Sequence, residues 1–235
     1  MNHGVQRLPE HINFLCIEGV IGAGKTTFCH MIADKFTLRT VLEPVEENPF
    51  LAEFYRNRQS VAFQTQMWFL LTRFKQLSES FAQQDLFHYA TVSDYMFAKD
   101  AIFANINLDD NELSLYNSVA GILGRKVPRP DFIIYLQAST DILLKRISRR
   151  GRPFEYAIDR KYIETLNEAY NHFFIHYSDS PVLIVNTDDM DFISDKSDFE
   201  EIVEQIFHTK WGRNYYAPLG SKGRSIIDDK KDKTK

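Results

Sequence analysis

The stretch NFLCIEGVIGAGKTTFCHMIADKF constrains this chain more than any other, because Gly19, Gly24, Lys25 and Thr26 stand in the spacing G-x-x-x-x-G-K-[ST]. That spacing fits a backbone that leaves a strand, wraps its N–H groups around a polyphosphate, and enters a helix whose positive end faces the anion. Lys25 would meet the β and γ phosphates as a point charge, and the Thr26 hydroxyl would ligate Mg²⁺. The flanks agree with this reading. Phe14, Leu15, Cys16 and Ile17 form a short apolar run suited to a buried parallel strand, and Phe28, Met31, Ile32 and Phe36 recur at helical spacing. The alternative is a glycine-rich turn without a ligand.

The same alternation continues along the chain. Further strands are expected near 40–42, 89–93, 132–136 and 182–185, with helices near 24–36, 49–57, 60–83, 98–106, 110–124, 140–150, 159–178 and 197–208. The expected fold is therefore α/β: a parallel sheet of about five strands with helices on both faces. With 235 residues and 44% apolar content the chain can bury one full core, so a single domain over 12–210 is expected, preceded by a polar extension at 1–11. The end, SKGRSIIDDKKDKTK, holds six Lys/Arg and three Asp against two isoleucines, which suits a C-terminal extension at 211–235 that is disordered at its end.

A net charge of −4 gives no global attraction to nucleic acid or anionic membrane, and no apolar run approaches the ~18 residues of a membrane span. Cys16 and Cys29 lack zinc or disulfide spacing and suit packing in a reducing cytosol, so a cytoplasmic protein is expected.

In open parallel sheets ligands gather beyond the carboxyl ends of the strands. Glu43 ends the second strand in VLEPVEENPF, where it could accept a proton from a hydroxyl attacking a γ-phosphorus; a solvated loop acid is the alternative. Asp94 ends the third, at a position suited to Mg²⁺ or its water shell, or else to capping a helix. KRISRRGRP carries Lys145, Arg146, Arg149, Arg150 and Arg152 with no acid among them. Such a glycine-hinged segment can close over a triphosphate; a solvated helix end or an RNA-binding patch would look similar. Phe63, Gln64, Phe97 and Phe103 could sandwich and read a base, although most of the chain's nineteen Phe must be core.

Together with the phosphate loop, LEPVEENPF, AFQTQMWFLLTRF, SDYMFAKDAIFA and RISRRGRPFEYAI resemble the deoxynucleoside kinases, especially their bacterial members, over about residues 12–208. The resemblance implies a P-loop kinase fold with an arginine-rich lid, ATP with Mg²⁺, phosphorylation of a deoxynucleoside 5′-hydroxyl with purines favoured, and a homodimer. It implies Glu43 as general base, with Lys25, Arg146, Arg150 and Asp94 in catalysis. ATP would rest on Gly19, Gly22, Ala23, Gly24, Lys25, Thr26 and Thr27, on Arg150 and Arg152, and on Asp188 and Asp189 in the TDDMDF loop over the adenine. Tyr55 and Glu155 would hold the sugar 3′-hydroxyl; Phe63, Gln64 and Phe103 would hold the base; Thr26 and Asp94 would face the metal. One departure stands out. The family usually carries Arg directly after the acid that ends the third strand, whereas this chain has Tyr95, so Tyr95, Arg73 or Lys99 must take that place.

Overall fold

The computed structural model describes residues 7–82 and 87–218. Six strands form one sheet: β1 (Phe14–Glu18), β2 (Arg39–Val41), β3 (Thr91–Ser93), β4 (Phe132–Gln137), β5 (Val182–Asn186) and β6 (Arg213–Tyr216). Every pairing is parallel and the order is β2-β3-β1-β4-β5-β6. The helices are α1 (Lys25–Phe36), α2 (Leu51–Arg56), α3 (Arg58–Ala82), α4 (Asp100–Asn107), α5 (Asp110–Gly124), α6 (Thr140–Arg150), α7 (Arg160–His176) and α8 (Lys196–His208).

The central strands β1 and β4 are buried along nearly their whole length, without apolar and polar residues in alternation, because helices cover both faces of the sheet. From β1 the chain crosses one way to β2 and β3 and then the other way to β4. This opens a crevice at the carboxyl end of β1, where the phosphate loop lies.

Three expectations change. The sheet has six strands rather than about five. The sixth, Arg213–Tyr216, lies within the expected C-terminal extension; it forms because RNYY pairs along β5, although half of its side chains stay in solvent. The N-terminal extension is also shorter than expected: Leu8 is buried in the core and its N–H donates to the Tyr89 hydroxyl at 2.9 Å, so at least residues 8–11 belong to the folded body. Helix α3 is kinked, with Val61 at φ −139° and ψ 16°. The disorder expected at the chain's end lies outside the described residues.

Candidate active site

Gly24 opens α1 with φ +94°, a conformation side chains resist, and a Cβ placed there would stand 2.9 Å from the Phe192 ring. The loop thereby turns tightly with its backbone exposed to the crevice. Lys25 curls back over it, its Nζ donating to the carbonyls of Gly19 (2.8 Å) and Val20 (3.2 Å). Burial first, and Lys99 second, lower its pKa to about 8.

Asp94 joins this loop to the end of β2. Its Oδ2 accepts from the Thr26 hydroxyl at 2.5 Å and its Oδ1 from the Glu43 N–H at 2.8 Å, so the acid is a brace between two strand ends and not a helix cap. No cluster of three or more His, Cys, Asp or Glu suited to a metal occurs among the described residues. Thr26 and Asp94 instead offer two hard oxygens side by side, which suits a Mg²⁺ whose remaining ligands are phosphates and water.

Glu43 sits two residues past β2, where Pro44 turns the chain away from the sheet. Arg73 of α3 donates to its Oε1 through Nε at 2.6 Å and also through Nη2. Lys99 reaches its Oε2 at 3.0 Å. Burial alone would raise the Glu43 pKa, but Arg73 and then Lys99 outweigh it and hold the carboxylate at about 2. The same Arg73 donates through Nη1 to Asp100, whose second oxygen accepts from the Tyr116 hydroxyl at 2.9 Å. The place expected for an arginine after β3 is thus shared by Arg73 and Lys99. Tyr95 points elsewhere, its hydroxyl donating to Gln76 Oε1 at 2.6 Å.

One cleft gathers Lys25, Thr26, Glu43 and Asp94 at one end, with Tyr55, Gln66, Phe69, Arg73, Phe103, Arg150, Arg152 and Glu155 also on its walls. Arg150 grips Glu155 through both Nε (3.1 Å) and Nη2, and Arg152 reaches Glu46 at 3.2 Å, so the basic segment is already folded over the cleft. Tyr55 stacks on Phe154, ring planes 5° apart at 6.3 Å.

Several expected site residues do not line this cleft. Phe63 packs toward Leu70, Ala104 and Tyr116, and Gln64 is exposed. The cleft is lined instead by Gln66 and Phe69, because those positions share a helical face with Arg73 at spacings of seven and four. That spacing was the available signal. Phe97 packs with Tyr95 and Tyr116 outside the cleft. Arg146 joins the phosphate loop to the loop after β5, donating to the Ala23 carbonyl (3.5 Å), Thr187 Oγ1 (3.0 Å) and the Thr187 carbonyl (2.8 Å), and does not line this cleft. Asp188 accepts from Ser139 N at 2.6 Å, and Asp189 is exposed; neither lines the cleft.

The sequence model described as deoxynucleoside kinase matches residues 15–210. The chain is 39% identical over 197 residues to the deoxyguanosine kinase of Bacillus subtilis (strain 168), covering 82% of this chain and 95% of that protein. It is 31% identical to the deoxyadenosine/deoxycytidine kinase of the same organism, over 83% of this chain and 91% of the other. Among solved structures, the M. mycoides deoxyadenosine kinase with bound dATP superposes with a TM-score of 0.72 at 29% identity, covering 83% of this chain and 99% of that one.

Proposed function

The chain belongs to the deoxynucleoside kinase family, and on that premise we propose that its acceptor is a purine deoxyribonucleoside, deoxyguanosine or deoxyadenosine, whose 5′-hydroxyl it phosphorylates with ATP as a salvage step. The observation that carries the reading is Glu43, which lines one cleft with the phosphate loop and the polar wall of Gln66 and Arg73. A nucleoside with its base against that wall and its 5′-hydroxyl at Glu43 would face the γ-phosphate in line. The purine preference is supported by the relative named deoxyguanosine kinase and by the solved deoxyadenosine kinase.

A carboxylate held near pKa 2 is a weak base, so it would not strip the hydroxyl in advance. In a loose phosphoryl-transfer transition state little early deprotonation is needed; Glu43 orients the hydroxyl by accepting its hydrogen bond and takes the proton late. Lys25, Arg150 and Arg152 would answer charge on the transferring group, Tyr55 and Glu155 would hold the 3′-hydroxyl, and Phe103 would pack on the base. Thr26, with Asp94 beside it, would hold Mg²⁺, which would supply positive charge to offset that of the phosphates.

We place the protein in the cytoplasm, where free Cys16 and Cys29 stay reduced; no described helix is long and apolar enough to cross a membrane. A homodimer is supported by exposed Leu115 and Ile122, seven apart on one face of α5. Sedimentation of Ile122→Glu at monomer mass, against a dimeric wild type, would bear this out.

The function is tested by ADP release with ATP, Mg²⁺ and each of the four deoxynucleosides or their monophosphates. Turnover with the purine deoxynucleosides is expected. Turnover with monophosphates alone would make the protein a nucleoside monophosphate kinase, and ADP release indifferent to any acceptor would make it a nucleotide-binding hydrolase.

A further inference from the structure

Two buried polar atoms on the cleft wall lack any partner: the Thr65 hydroxyl and Gln66 Oε1, on side chains that are only 1% and 2% exposed. A helical threonine ordinarily turns its hydroxyl back to the carbonyl four residues earlier. For Thr65 that residue is Val61, the site of the kink in α3. Its ψ of 16°, where a helix has about −42°, swings the carbonyl away from the helix axis. The kink therefore releases the Thr65 hydroxyl from its usual bond while burial denies it bulk water. A buried hydroxyl left without a partner is costly, and on this wall a bound ligand can supply one.

We propose that Thr65 is a base-contacting residue: its hydroxyl hydrogen-bonds the nucleobase beside Gln66 and contributes to substrate selectivity. This rests on the nucleoside kinase reading. A hydroxyl rotates and can donate or accept, so it suits either an amino or an oxo group on a purine, whereas the Gln66 amide presents a fixed donor and a fixed acceptor. The pair gives one adaptable and one directional contact on adjacent residues of the same wall.

The test compares wild type, Thr65→Val, which keeps the shape without the hydroxyl, and Thr65→Ser, which keeps the hydroxyl. Substrates are deoxyguanosine, deoxyadenosine, the deoxyriboside of unsubstituted purine and a 7-deazapurine deoxyriboside. Thr65→Val should raise KM about tenfold on the natural purines with kcat held, and Thr65→Ser should restore it. On at least one analogue, the one lacking the bonded atom, wild type and Thr65→Val should coincide. An unchanged KM in Thr65→Val, or the same loss on all four substrates, would overturn the assignment by reducing the hydroxyl to a packing role. If the wild type phosphorylates no deoxynucleoside, the kinase reading falls and this inference with it. Wild-type turnover with an unmoved Thr65→Val removes Thr65 alone.

Discussion

Arg73 joins Glu43 to Asp100: one guanidinium, buried in α3, donates to the carboxylate at the reacting end of the cleft and to a second one behind its wall. A change at either acid is therefore felt by the other through a single side chain.

Replacing Arg73 with Gln should raise the pH at which Glu43 titrates. Burial raises this pKa and Arg73 is the foremost influence lowering it, so without Arg73 the value moves up from about 2, held down only by Lys99 and Lys25. A base loses activity when protonated, so the acid limb of kcat should move to higher pH than in the wild type. Superimposable pH profiles for the two proteins would contradict the coupling.

Lys25 supplies the basic limb. Below its pKa of about 8 it is protonated in the free protein and attracts phosphate; above it the charge fades. Bound phosphates favour the ammonium and push the pKa back up. The expected result is kcat/KM for ATP falling above about pH 8 while kcat persists to higher pH, since the first reports the free enzyme and the second the complex. Coincident limbs in the two profiles would rule this out.

Asp94 should govern the metal. Asp94→Asn keeps a hydrogen-bonding group for Thr26 and the Glu43 N–H but removes the negative charge, and the Mg²⁺ concentration for half-maximal rate should rise by about 10–100-fold. Titrating Mg²⁺ at saturating ATP reads this directly; an unchanged requirement would leave Asp94 as a brace alone.

Tyr55 and Glu155 should discriminate at the sugar. A 2′,3′-dideoxynucleoside leaves their polar groups unpaired, at a cost of about 1–3 kcal/mol in kcat/KM, and Tyr55→Phe should narrow the gap between that substrate and its parent. A wild-type ratio near unity would take both residues out of sugar binding.

The parts of the site visible in the amino-acid sequence were those fixed by contiguous backbone. The phosphate loop, Glu43 before Pro44, and Asp94 at a strand end follow from where short apolar runs stop. Gln66 was hidden by helical phase: Gln64 and Gln66 stand two apart, about 200° around the helix, and only the spacing to Arg73 separates the lining residue from the exposed one. The Asp100–Arg73–Tyr116 network was hidden for another reason. Its members come from three helices and acquire their roles only when packing removes them from water. Strand β6 was missed because RNYY has no apolar run, and its extended form is imposed by β5 rather than by its own composition.

That last strand bears on solubility. The family likeness ends at residue 210, yet the main chain just beyond it covers β5: Val182 donates to the Gly212 carbonyl at 2.9 Å and Val182–Val185 lie in register with Arg213–Tyr216. A chain cut after Lys210 would keep every cleft residue named above and still present Val-Leu-Ile-Val as a bare outer strand. Such an edge recruits other chains, so the shortened protein should scatter light and precipitate at concentrations where the full chain stays clear, even while its soluble fraction remains active.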